Sequence, residues 1–314
     1  TAELLAQYDH LISRWHGAAG GRLAAGVSCS APQRVSVDYF EALGALSRER
    51  DLPFVVHILE TKLQRVLGEE KFGKSLIRHV SDLGLLDERM QIVHAIWIDD
   101  ADMALIAASG AIVAHNPVCN LKLGSGIMPF RRLRDHGIPI CLGTDEAVAD
   151  DTHNLWGAAK MAGLIHKITD PEYRNWPTAA EVLECLFHGG ARAMRREGRI
   201  GRLVPGAEAD LILVDLDTFA FTPLNDVKRQ LVYCENGSSV RMTMVAGGIV
   251  MRDGRLLTVD EKALRAEARA LMAEYAADFA KADAAARELD PFYREMYRRA
   301  AAYDVGMNRW GGAT

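Results

Sequence analysis

No stretch of this 314-residue chain approaches ~18 consecutive apolar residues, so no segment is expected to cross a membrane as a helix. Cysteine is scarce. The five present (Cys29, Cys119, Cys141, Cys185 and Cys234) are odd in number, scattered and without CxxC spacing. That argues against a disulfide scaffold and for buried thiols in a reducing cytoplasm, the expected location. Positive charge is not in excess: a formal net charge of −5 argues against nucleic acid as a partner. Internal repeats and low-complexity tracts are absent, as is a serine-centred nucleophile elbow. Gly124-Ser125-Gly126 lacks the lysine-serine ending of a phosphate loop and reads as a mobile loop instead. There is no initiator methionine and no signal-peptide layout. Ala2 to Tyr8 reads as an amphipathic helix already under way, so the chain is expected to be the later part of something longer.

What is present is an ordinary globular composition, 49% hydrophobic and 25% charged, with polar residues at the ends of apolar runs. Phe54-Val55-Val56-His57 is a short run of the kind that forms a strand buried on both faces, and Glu60 follows His57 three residues later. Gln91-Ile92-Val93-His94 repeats the strand-then-histidine pattern, and Ile138 to Thr144 leads into Asp145. Ala111 to His115 is another buried run, closed by Asn116-Pro117. With Arg22–Cys29, the expected strand ends fall near residues 28, 57, 94, 115 and 144, separated by helices over 36–49, 62–83, from Asp99 onward, and 131–136. Alternation at this spacing implies βα units around a parallel sheet. Five strands do not close a barrel. The sheet is therefore either open and doubly wound, or lacks three βα units upstream of Thr1, and the second is preferred.

Downstream, helices are expected over 152–168 and 178–196. A turn-rich β segment over 200–215 continues through Val240–Val245 and Gly248–Val250. Residues 259–301 read as a helix or helix pair, with Gly311-Gly312 fraying the end. The expected domains are 1–198 with the parallel sheet, 199–258 as a small β-domain, and 259–314 as a helical extension.

Histidine, histidine and aspartate at successive strand ends suit a hydrolytic divalent metal, and a carboxylate beside them suits proton transfer to a leaving amine. An isolated His-x-x-Glu is weak evidence. Asp145 is stronger, because a buried strand seldom ends in an unpartnered carboxylate. His115 is open between pocket lining and turn initiation.

The runs His57-Ile58-Leu59-Glu60-Thr61, Val93-His94-Ala95, Val113 to Gly126, Leu142-Gly143-Thr144-Asp145 and Ile200 to Leu211 resemble the amidohydrolase superfamily. The likeness is to its branch of cytosine, S-adenosylhomocysteine and 8-oxoguanine deaminases and triazine hydrolases, and it covers residues 22–256. The resemblance implies an α/β fold: a partial (β/α)8 TIM barrel carrying strands 4–8, with part of a small β-sandwich domain. It implies one divalent metal ion, zinc first and iron second. His57 and Asp145 match metal ligands, while Glu60, His94 and Asp145 match catalytic residues, with Glu60 as the proton shuttle. His115 and Gln33 are expected to bind substrate. The implied reaction is deamination of an amino-substituted N-heterocycle (purine, pteridine, pyrimidine or triazine) by metal-activated water. A ring-opening or dehalogenating hydrolase, or a non-catalytic assembly module, are the alternatives. A homo-oligomer is expected. The family's first two ligands form a His-x-His pair, and this chain contains none. An upstream segment of roughly 150 residues is expected to supply it and complete the barrel. Ser28 to Gln33 also lacks a histidine common in that loop, and Glu146 to Asp151 is more acidic than usual.

Overall fold

Five short apolar runs make one parallel sheet in chain order, in a computed structural model that describes residues 2–311. Thr1 and Gly312 lie outside the described residues. The strands are β1 (Val27–Cys29), β2 (Phe54–Ile58), β3 (Met90–His94), β4 (Ile112–His115) and β5 (Ile140–Leu142). Their registers run from Val27 opposite Phe54, through Phe54 opposite Met90, to Val113 opposite Ile140. Because all five point the same way, the residues that follow them gather at one end of the sheet. Residues of β4 and β5 are buried throughout, which is why they read as unbroken apolar runs rather than alternating ones. One face carries the main core against the helices, including Val56, Ile58, Ile92, Val113 and Ile140. The opposite face holds a smaller cluster of Val93, Ile112, Ala114 and Cys141 with Ala193.

The helices follow their caps. Ser36 caps Val37–Arg50 through the Tyr39 amide, and Asp99 with Asp102 forms a capping box at the head of Asp100–Ser109. The single helix expected over 62–83 is two, Lys62–Phe72 and Leu76–Asp82. Gly73 turns left-handed (φ 66°) and ends the first, and Ser75 caps the second. Asn116-Pro117, expected to close a strand, instead opens the helix Pro117–Lys122, with proline in its first turn.

A second sheet is antiparallel, in the order β6 (Leu211–Val214), β7 (Val240–Val245), β8 (Gly248–Arg252), β9 (Arg255–Leu256). Between β6 and β7 lies a helix the sequence reading missed, Val227–Tyr233, capped by Asp226. Its Val232 is fully buried, and the helix packs on Leu155–Ile165 and Ala179–Glu184. The helix Glu261–Glu288 buries none of its residues, whereas Asp290–Ala302 packs on Lys62–Phe72. After Ala302 the chain returns to the body, where Val305 and Met307 pack against the main core. Cys29, Cys119, Cys141 and Cys185 are buried free thiols as expected, but Cys234 is exposed. No helix among the described residues is long and apolar enough to cross a membrane.

Candidate metal centre

At the C-terminal end of β2, the His57 Nδ1 lies 2.8 Å from the Ser30 carbonyl oxygen. A carbonyl only accepts, so Nδ1 carries the proton and Nε2 holds the ring's lone pair. His94, at the end of β3, is 1% exposed, and its ring centroid is 5.4 Å from that of His57. The Asn120 amide nitrogen sits 2.8 Å from His94 Nδ1. With that amide donating, the His94 proton moves to Nε2, which lies 3.6 Å from Glu60 Oε2 and 3.4 Å from Asp145 Oδ2. The two histidines thus present opposite faces: His57 a lone pair, His94 a proton. Burial pulls the His94 pKa below the ordinary histidine value despite both carboxylates, so the ring is neutral near pH 7.

The two carboxylates are held differently. Asp145 Oδ2 accepts from the Cys119 thiol and the Asn116 amide, both at 3.2 Å, and Oδ1 accepts from the Glu146 amide at 2.8 Å. Burial pushes the Asp145 pKa up, but the Cys119 thiol, the Glu146 amide and the two histidines outweigh it and hold it below the usual carboxylate range. Glu60 is anchored through one oxygen, Oε1, which accepts from the Ser125 hydroxyl at 2.9 Å. His94 and Asp145 both have left-handed backbones (φ 79° and 68°), a conformation His and Asp tolerate better than most residues. Strain of this kind is found where a side chain must be aimed.

A cavity of about 250 Å3 opens on His57, Glu60, His94 and Asp145, with Gln64 and Arg34 on its wall. Ligand atoms of His57, His94 and Asp145 all lie within 4.8 Å of one another, and so do those of Glu60, His94 and Cys119. The donor set fits a divalent metal of the zinc type: a half-buried imidazole with its outer nitrogen pinned by a carbonyl, and a carboxylate kept ionised.

Two residues expected to bind substrate lie elsewhere. His115 is buried and outside the cavity lining, and its Nε2 is 3.1 Å from His166 Nε2, whose ring stacks on Phe130. Gln33 sits on a short 3-10 turn with Oε1 buried and without a partner, outside the cavity lining. Residues the sequence reading passed over do the holding. Asn116, Cys119 and Asn120 fall at i, i+3 and i+4, which puts all three on one face of their helix, toward Asp145 and His94. That spacing was legible. The loop 124–126, expected to be mobile, is packed at its centre, with Ser125 3% exposed and its hydroxyl on Glu60.

The model sequence of the Amidohydrolase family matches residues 1–250. The chain is 32% identical over 258 residues to a 5'-deoxyadenosine deaminase of Methanosarcina mazei, covering 82% of this chain and 59% of that protein. It is 34% identical over 258 residues to a 5-methylthioadenosine/S-adenosylhomocysteine deaminase of Desulforudis audaxviator, covering 82% and 60%. A crystal structure of an adenosine deaminase from Xanthomonas campestris with bound zinc superposes with a TM-score of 0.81 at 29% identity, over 85% of this chain and 60% of that one. This chain belongs to the Amidohydrolase family. It spans about 60% of the length of the curated relatives it matches.

The grip on Asp145 depends on a missing side chain. A Cβ on Gly143 would stand 2.4 Å from Asn116 Oδ1, and Asn116 is buried and donates to Asp145. Gly143→Ala is therefore expected to displace the Asn116 amide and weaken metal retention roughly 10- to 100-fold, the usual cost of losing an outer partner of a ligand. Metal titration against a competing chelator reads this directly, and unchanged affinity would show that Asn116 does not hold Asp145.

Proposed function

We propose that this chain carries the centre of a metal-dependent aminohydrolase, which replaces a ring amino group of an N-heterocycle by oxygen and releases ammonia. The carrying observation is the convergence of His57, Glu60, His94 and Asp145 on one cavity, from the ends of three parallel strands. His57 Nε2 and Asp145 would hold the metal, with any further ligand supplied from outside the residues described. When bound, that ion makes water acidic enough to act as a nucleophile near neutral pH. Asp145, ionised and half enclosed, accepts a water proton. Glu60, tethered only at Oε1, has Oε2 free to protonate the ring nitrogen and then pass a proton to the departing amine. His94, donating through Nε2, orients oxygen between the two carboxylates. In balance, the C–N bond breaks and a C=O bond forms; one water proton ends on the ring nitrogen, which stays in the product, and the other leaves on the amino group as ammonia.

The substrate proposed first is a 6-aminopurine nucleoside, supported by the substrates that the names of the two curated relatives carry. The same reading takes residues 1–198 as strands 4–8 of a (β/α)8 barrel, 199–258 as part of a β-sandwich, and 259–314 as an extension. Five parallel strands in chain order, with the site at their C-terminal ends, support it. Exposed Leu264, Leu271, Met272 and Phe279 on the long helix support a homo-oligomer.

The test uses the protein with whatever flanking sequence its gene encodes, loaded with zinc. Ammonia release is measured on adenosine, 5'-deoxyadenosine, methylthioadenosine and S-adenosylhomocysteine, then on aminopteridines, cytosine and aminotriazines. Release from an aminopurine, with metal bound, is expected. Chloride release or ring opening with no ammonia from any amine would replace this reading with another hydrolase. No bound metal and no turnover would leave an assembly module.

A further inference from the structure

The loop that anchors Glu60 is tied on both flanks to the far end of the chain. Gly124 O accepts from the Trp310 indole Nε1 at 3.1 Å, and the Ile127 amide donates to Arg309 O at 2.7 Å. Between them, Ser125 O accepts from the Trp97 indole at 2.8 Å, and Ser125 Oγ donates to Glu60 Oε1. Trp97 is fully buried, and Trp310 stands edge-on to it with centroids 5.0 Å apart. Lys62, which heads the helix after Glu60, lies over both indoles and donates to Ala301 O at 2.8 Å. Arg309 donates to Ile98 O at 2.8 Å. The seat is closely fitted. Gly126 has φ 126°, and a Cβ there would stand 3.0 Å from Arg309 O and from Ile96 Cγ2.

We propose that residues 309–310 are a strap that positions the Glu60 carboxylate through Ser125. Glu60 has one anchored oxygen, and the anchor sits on a three-residue turn containing two glycines, which has little stiffness of its own. The rigidity comes from outside: an indole on the carbonyl before Ser125, a backbone carbonyl on the amide after Gly126, and Trp97 beneath. A proton shuttle must stay in line with the ring nitrogen, and misplacement by about 1 Å can cost up to 10²-fold in rate. The C-terminal segment thereby serves the centre without touching it. Trp310 and Arg309 are positioning residues, and the inference rests on Glu60 acting in proton transfer.

The experiment compares Trp310→Ala, Trp310→Phe, Ser125→Ala and the double variant Trp310→Ala/Ser125→Ala in the zinc-loaded protein. Trp310→Ala is expected to lower kcat roughly 10-fold or more with KM and metal content unchanged. Trp310→Phe keeps the ring against Trp97 but loses the bond to Gly124, so it should restore thermal stability and only part of kcat. In the Ser125→Ala background, Trp310→Ala should add almost nothing, because both act through one bond. Multiplying effects, or a fall in thermal stability with kcat unchanged, would overturn the strap. Hydrogen exchange separates this from the proposed reaction. The Ser125 amide, bonded to Asn120 O at 2.9 Å, should exchange about 10-fold faster in Trp310→Ala, whatever the substrate. Faster exchange in a protein that turns over no amine would keep the strap and sink the deaminase reading; unchanged exchange would sink the strap.

Discussion

Glu60→Gln is expected to lower kcat by about 10²- to 10⁴-fold, the scale of general acid–base assistance, while the protein keeps its metal and its fold. Glutamine has the size of glutamate and keeps an acceptor for the Ser125 hydroxyl, so the anchor survives. What it cannot do is take a proton from one atom and give it to another. Glu60 is not one of the two groups best built to hold a cation. Its Oε1 is committed to Ser125, and Oε2 faces the protonated Nε2 of His94 at 3.6 Å. The informative comparison is kcat against metal content in the same preparation. Should both fall together, Glu60 belongs to the ligand set, as its grouping with His94 and Cys119 would permit, and the shuttle must be sought elsewhere.

The strand ends were legible because each strand is a short, mostly apolar run, and such runs make a polar terminus conspicuous. The double-sided burial expected of Phe54 to His57 is found in β4 and β5, whereas β2 alternates, with Val55 and His57 only half-buried. His57, His94 and Asp145 stand out for that reason, and the parallel sheet brings them to one end. What lay hidden was set by distant partners. His115 ends its strand as His57 does, yet it turns to His166, 51 residues on, and no local pattern carries that pairing. Ser125 looked like part of a loose glycine turn because its restraints are Glu60, 65 residues earlier, and a tail 186 residues past Gly124. The break at Gly73 fell inside a continuous amphipathic pattern, where one left-handed residue outweighs the periodicity around it. The helix Val227–Tyr233 was overlooked inside a turn-rich stretch, although Asp226 is an ordinary N-cap.

His57→Ala should act oppositely to Glu60→Gln, removing metal first and activity as a consequence. The Ser30 carbonyl fixes the His57 proton on Nδ1 and leaves Nε2 as its lone pair, whereas His94 points a proton inward. Of the two rings, His57 is therefore the one proposed as ligand, and its removal should cost more than the roughly 100-fold that loss of an outer partner costs. Thermal unfolding with and without zinc measures this independently of any substrate. In the parent protein, free zinc at about 100 times its Kd should add about 2.7 kcal/mol of stability. In His57→Ala that increment should vanish, while the metal-free stability stays nearly the same, because His57 lies half-buried at the cavity wall rather than in the core. His94→Ala makes the control: it should retain much of the zinc-dependent increment but lose turnover. A His57→Ala protein with its full zinc-dependent increment, beside a His94→Ala protein without one, would reverse the two roles and require Asn120 to accept from His94 rather than donate to it.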